Sequence, residues 1–212
     1  MARRTAYGET GRPSVVDRFG FWLSERRIRA LVGDATGKRI ADVGCGHRAR
    51  MAWPFLEACG RMVLVDLTLS PEVKSHPKVT AVEGRLPDAL AGLPDASLDV
   101  ILCNSVLEHL SAPQAALDAF HILLAPGGVL YLNVPNWRGK WFLEFSAYRL
   151  GLSPAEEIDD HKAYYDPEDL WPMLVAAGFR PSDIRCYRHK FGLNTFAQCR
   201  KQGDAGAAPR TR

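Results

Sequence analysis

The chain lacks a long apolar run, a paired-cysteine spacing and a basic stripe, and each lack removes a class of protein. Its longest uncharged apolar stretch, Ile122 to Val134, is shorter than a bilayer span and is interrupted by Pro126-Gly127-Gly128. No membrane-spanning segment is therefore expected. The start, Met1-Ala2-Arg3-Arg4, leads into polar residues and glycine, unlike the apolar core of a secretory signal, so the expected compartment is the cytoplasm. Five cysteines stand at 45, 59, 103, 186 and 199 without a C-x-x-C spacing. That pattern suggests neither a disulfide framework nor a metal site, and Cys45 and Cys103 read as small apolar residues. The net charge of +3 is carried by residues 1–12 and 200–212, which leaves the body slightly acidic. An enzyme of nucleic acid needs a basic face on its folded body, so no nucleic-acid partner is expected.

What is present fits one soluble domain. A chain of 212 residues, 47% hydrophobic and 24% charged, can bury a substantial core. The Gly/Ala/Pro-rich ends read as flexible tails, 1–13 and 201–212, around a domain at 14–200. From Ser14 to Val32, Val15, Phe19, Trp22, Leu23, Ile28 and Leu31 recur at helical spacing with an Arg-rich outer face, which predicts a packing helix. Short Val/Ile/Leu-rich runs predict buried parallel strands near 38–43, 61–66, 79–83, 98–103 and 128–134. Helices are expected near 48–59, 86–91, 104–124 and 167–177, and two antiparallel edge strands at Asp183–Cys186 and Thr195–Cys199. Alternation of this kind is an α/β pattern.

The most informative stretch is Arg39-Ile40-Ala41-Asp42-Val43-Gly44-Cys45-Gly46-His47. Dinucleotide-binding turns read G-x-G-x-x-G and face a pyrophosphate, which a carboxylate just before the glycines would repel. Here the acid comes first. Asp42 suits a ligand with an ammonium group, and Gly44 and Gly46 permit close backbone approach. The next strand, Arg61 to Asp66, ends in a second acid 22 positions after Gly44, where a carboxylate can accept from both hydroxyls of a ribose.

These residues resemble the first motif, hydrophobic-(D/E)-x-G-x-G-x-G, of the class I S-adenosylmethionine-dependent methyltransferases. The likeness continues through Asp99-Val100-Ile101 and Leu107-Glu108-His109, similar to the family's F-D-x-V and L-E-H, and through Pro126-Gly127-Gly128 with its following strand. It ends in Asp160-His161-Lys162 to Leu170 and Ala176-Ala177-Gly178-Phe179, which look like the last helix of the type 11 (ubiquinone-pathway-like) subgroup. The chain departs from the pattern at Arg48, where the third glycine stands, and at Arg85, where the family often has an acid for the adenine amino group.

The resemblance implies a Rossmann-like seven-stranded mixed sheet of order 3-2-1-4-5-7-6 with helices on both faces, and S-adenosyl-L-methionine as cofactor. It implies donor contacts at Asp42, Gly44, Cys45, Gly46, Asp66, Leu67, Arg85, Leu86, Asn104 and Ser105, all beyond strand C-terminal ends. Methyl transfer needs mainly alignment and exclusion of water, with a general base when the acceptor is a hydroxyl. His109 and His161 are the candidate bases. The expected acceptor is a small molecule, methylated on oxygen, with a glycan- or lipid-pathway intermediate hinted at by Lys190 to Phe196. The aromatic stretch 136–152 reads as a lid or acceptor pocket, with contact to a lipid headgroup region as the alternative. Two rival readings are a degenerate relative that binds cofactor or a protein partner without catalysis, and a nicotinamide-dependent reductase. The second is opposed by Asp42 and the missing G-x-x-G half of its fingerprint.

Overall fold

The structure, a computed structural model, describes residues 6–9, 15–141 and 162–203. Seven strands form one sheet: β1 (Arg39–Val43), β2 (Arg61–Asp66), β3 (Val79–Glu83), β4 (Leu98–Asn104), β5 (Leu124–Pro135), β6 (Ile184–His189) and β7 (Asn194–Arg200). Their order is β3-β2-β1-β4-β5-β7-β6, as the resemblance implied. The first five pair in parallel; β7 runs antiparallel to both β5 and β6. The expected antiparallel pair closes this side of the sheet, with β6 outermost and β7 between it and β5.

Alternate strand residues face two separate cores, which is what parallel strands covered on both sides require. Ala41, Val43, Ile101, Cys103, Leu130 and Leu132 pack with Leu117 and Phe120 of α4 (Pro113–Leu123) and Leu170 and Leu174 of α5 (Pro167–Ala176). Ile40, Met62, Leu64, Leu102 and Phe196 pack on the other face with Ile28 and Val32 of α1 (Val15–Val32), Phe55 and Leu56 of α2 (Trp53–Leu56), and Val73 of α3 (Pro71–Lys74). On α1 the buried side matches the predicted one in part. Ile28 is sequestered as expected and Ser24 with it, whereas Phe19 and Trp22 stack on each other at the surface, about half exposed. Tyr131 donates to the Leu31 carbonyl at 2.9 Å and Arg27 donates to the Tyr187 hydroxyl at 2.7 Å, fixing α1 against β5 and β6.

Three predicted helices shrink, two of them for a visible local reason. The helix expected at 48–59 is reduced to α2, because Ala49 takes a left-handed φ of 45° and the preceding residues close three-residue turns instead. The helix expected at 104–124 divides into a 3-10 turn, Leu107–His109, and α4. Ser105 has φ 56°, and Pro113 lacks the N–H that a helix interior needs but suits a first turn. Residues 86–91 supply only the 3-10 turn Asp88–Leu90. By contrast β5 is longer than expected, running through Pro126-Gly127-Gly128 with a register irregularity opposite Leu98 and Val100.

Asn136, fully buried after β5, ties the sheet's C-terminal edge to the β6–β7 turn. Its Nδ2 donates to the Gly192 carbonyl at 2.9 Å, and its Oδ1 accepts from the Gly139 N–H at 2.9 Å. Asn136→Ala orphans both backbone groups and is expected to lower unfolding stability by about 2–4 kcal/mol, read from the denaturant midpoint; a change below about 0.5 kcal/mol would show the two bonds to be dispensable.

Candidate functional site

Asp42 and Asp66 end neighbouring strands, and the turn Gly44–His47 lies between them. Val43 pairs with Val65 in register, so both acids emerge at the same C-terminal edge. Every amide of the turn is already engaged. Gly44 and Cys45 donate to the Val65 carbonyl at 2.7 and 3.3 Å, Gly46 donates to Asp66 Oδ2 at 2.7 Å, and His47 donates to the Tyr7 carbonyl at 2.9 Å. A pyrophosphate needs such amides free and a helix N-terminus facing it, yet α2 starts only at Trp53. The turn presents carboxylate, not N–H groups, and so suits a cationic ligand.

The glycines have reasons of their own. Gly44 and Gly46 take φ of 73° and 74°; a Cβ on Gly44 would overlap the Val106 side chain, and one on Gly46 would stand 3.0 Å from the Tyr7 carbonyl. Residues 6–9, within the stretch expected to be a tail, lie against this turn. Besides the Tyr7 carbonyl on His47, Glu9 accepts from Thr68 Oγ1 at 2.8 Å.

Asp42 is 2% exposed, and its Oδ2 has no hydrogen-bond partner. Burial, and then the nearby Asp66 charge, push its carboxyl up to about 7. Such a group is held at a cost until a cation reaches it. Asp66 is braced by the N–H groups of Gly46 and Leu67, each at 2.7 Å, and a carboxylate has lone pairs for further donors. Asn104 Oδ1 accepts from Asn133 at 3.0 Å and Ser105 N–H donates to the Asn133 carbonyl at 2.8 Å, which fixes the end of β4 opposite the turn. Leu86 packs against the core after β3, while Arg85 and Arg48 are exposed. Glu83, to which the sequence reading gave no role, accepts from the Leu69 N–H at 2.7 Å and from Lys74 at 3.0 Å, and so shapes the loop after Asp66.

Burial first, then the Asp42 and Asp66 charges, push the Cys45 thiol far above its ordinary value. Cys103, fully buried, is raised as well, by burial and then by Glu108 and Asp42. Neither supplies a thiolate nucleophile at neutral pH. His109 sits in the 3-10 turn after β4, partly buried. His161, the other candidate base, lies outside the described residues, as do residues 142–152 of the expected lid. Among the described residues no group of three His, Cys, Asp or Glu could hold a metal ion, and no helix is long and apolar enough to cross a membrane.

A family model described as a methyltransferase domain matches residues 17–183. The chain belongs to this methyltransferase family. A ubiquinone biosynthesis O-methyltransferase of Psychrobacter arcticus is 30% identical over 185 residues, covering 78% of this chain and 67% of the relative. Its counterpart in Aeromonas salmonicida is 27% identical, covering 77% and 69%. Among solved structures, a SAM-dependent methyltransferase from Archaeoglobus fulgidus matches with a TM-score of 0.60 at 16% identity, covering 88% of this chain and 100% of that one. The 1,6-didemethyltoxoflavin-N1-methyltransferase of Burkholderia thailandensis, solved with S-adenosylhomocysteine, matches with a TM-score of 0.58 at 22% identity, covering 88% and 83%. The protein is an S-adenosylmethionine-dependent methyltransferase of the type 11-like group. A methyltransferase donor is a sulfonium with an ammonium group and a ribose, and the residues present fit it: a buried unpartnered carboxylate oxygen for a cation, a second carboxylate beside it, and a turn without free amides to attract phosphate.

Proposed function

We propose that this methyltransferase transfers the donor's methyl group to a hydroxyl oxygen of a small-molecule acceptor. The observation that carries the donor half is the pair Asp42 and Asp66 flanking a turn whose amides are all spent inside the protein. The oxygen acceptor is supported by the likeness to ubiquinone biosynthesis O-methyltransferases.

Asp42 is the partner for the donor's ammonium group, and Asp66, with Leu67 beside it, is the acceptor for the ribose hydroxyls. Gly44, Cys45 and Gly46 form the floor between them. Leu86 offers an apolar face to the adenine; the exposed Arg85 offers no acceptor for the adenine amino group, leaving that contact to Asp88 or a backbone carbonyl. Asn104 and Ser105 close the end nearest β4. When bound, S-adenosylmethionine supplies a methyl group made electrophilic by the sulfonium. The protein's own task is then alignment and dehydration, together with removal of the hydroxyl proton, for which His109 is the candidate among the described residues.

The test is calorimetric titration with S-adenosylhomocysteine, native protein beside Asp66→Ala. Loss of charge-assisted bonds to two hydroxyls, at roughly 1.5–3 kcal/mol each, is expected to weaken binding by about 100-fold or more. Equal affinity in both proteins overturns the donor assignment. Transfer of labelled methyl to phenols but not to matched anilines is the expected acceptor result, and the reverse preference overturns the oxygen assignment.

A further inference from the structure

The turn between β6 and β7 holds three consecutive left-handed residues: Lys190, Phe191 and Gly192 have φ of 49°, 58° and 83°. Two of the three are not glycine, and such conformations persist only where the surroundings enforce them. Here Asn136 does so, through its side-chain bond to the Gly192 carbonyl and its N–H to the Leu193 carbonyl at 3.2 Å. Gly139 packs so tightly on the Leu193 carbonyl that a Cβ there would overlap it.

The enforced turn sends its two large side chains in opposite directions. Phe191 is 82% exposed, whereas Lys190 folds inward, with Nζ 3.9 Å from where a Cβ on Gly20 of α1 would stand. A lysine on a hairpin turn ordinarily extends into water. The acidic group acting on this one is Glu108, 1% exposed, in the 3-10 turn that follows Asn104 and Ser105. The Glu108 carbonyl also accepts from the N–H groups of Lys162 and Ala163, at 2.8 and 3.3 Å, so the same turn anchors the returning chain.

The strand that leads into this lysine is separated from the strand of Asp42. The sheet order puts β4, β5 and β7 between β1 and β6. At a strand spacing of about 4.8 Å, β6 ends roughly 19 Å from the Asp42 strand. The ends of β5 and β7 lie in the interval between the two strands.

We propose that Lys190 is an acceptor-recognition residue: its ammonium, turned inward beside Gly20 of α1, binds an acidic group, carboxylate or phenolate, on the molecule to be methylated. The inference rests on the small-molecule acceptor reading above. The donor's own carboxylate is the other anion that could reach a lysine, and the experiment separates the two.

Native protein, Lys190→Met, Lys190→Gln and Lys190→Arg are titrated with S-adenosylhomocysteine, then, both with and without it, with 4-hydroxybenzoate and its neutral match 4-hydroxybenzamide. The expected result is at least tenfold tighter binding of the acid than of the amide by the native protein. That preference is lost in the Met and Gln variants and mostly kept in the Arg variant, with S-adenosylhomocysteine affinity within about twofold in all four. A preference surviving in both the Met and Gln variants overturns the proposal, as does failure of the native protein to favour the acid. A tenfold loss of S-adenosylhomocysteine affinity in those variants overturns it in favour of the donor carboxylate. Failure of the native protein to bind S-adenosylhomocysteine at all refutes the donor reading instead, and the titrations without it still decide the role of Lys190.

Discussion

Asp42→Asn is expected to make the unliganded protein more stable at pH 8 while removing most of its affinity for the donor. The carboxyl is 2% exposed and lies beside Asp66, and in the folded chain it is pushed from the ordinary 3.8 to about 7. Between those values the native state keeps a proton that the unfolded chain has released. The contribution to stability is thus fully present below about pH 4, falls as pH rises to about 7, and is level above that. Three pH units at about 1.36 kcal/mol each bound the loss at roughly 4 kcal/mol. An uncharged isostere has no such loss, so the variant's melting temperature should exceed the native one at pH 8 and converge with it near pH 4. Donor binding goes the other way: without a negative charge at 42 the ammonium loses its partner, and S-adenosylhomocysteine affinity should drop by at least about 100-fold, or 2.7 kcal/mol. Melting curves across pH 4–8 and one titration decide the matter. An unchanged pH slope in the variant would place the unusual carboxyl elsewhere.

Gly44→Ala should be the most damaging change in the turn. A φ of 73° costs an L-residue about 1–2 kcal/mol, and the new Cβ would run into Val106, which is 91% buried and unable to step aside. The displacement falls on the bonds from residues 44–46 to Val65 and Asp66, so binding and stability suffer together: about 100-fold in S-adenosylhomocysteine affinity and about 2–4 kcal/mol in unfolding free energy. Adding Val106→Ala relieves the overlap but not the backbone strain, and should recover part of the affinity. Full recovery would mean that the left-handed backbone carries no penalty; native affinity in Gly44→Ala alone would refute the turn's geometry as a determinant of binding.

The strands that bring Asp42 and Asp66 to one edge were legible in sequence because buried parallel strands are short runs rich in Val, Ile and Leu, here with an acid in one of the last two positions of each. What the turn does with its amides was not legible. Their acceptors are Val65, Asp66 and the Tyr7 carbonyl, which reach the turn only through the folded chain. The helix expected at 48–59 failed for a similar reason, since the left-handed Ala49 answers to its surroundings and not to its own helix preference. Pro113, by contrast, did signal the start of α4, and reading it as a boundary would have separated the turn bearing Glu108 and His109 from the helix. Lys190 was visible only as the first residue of a stretch hinting at the acceptor; its inward turn beside Gly20 of α1 belongs to the folded chain.

That order also sets a schedule. Since β7 is inserted between β5 and β6, a nascent chain can register β1 through β5 while the exposed edge of β5 still waits for residues 194–200. During that interval β6 has no ladder to join, and β5 offers unpaired backbone to any passing strand. The half of the sheet that handles the donor can thus be assembled before the half bearing Lys190 exists, and synthesis of β7 both seals a vulnerable edge and gives β6 its ladder.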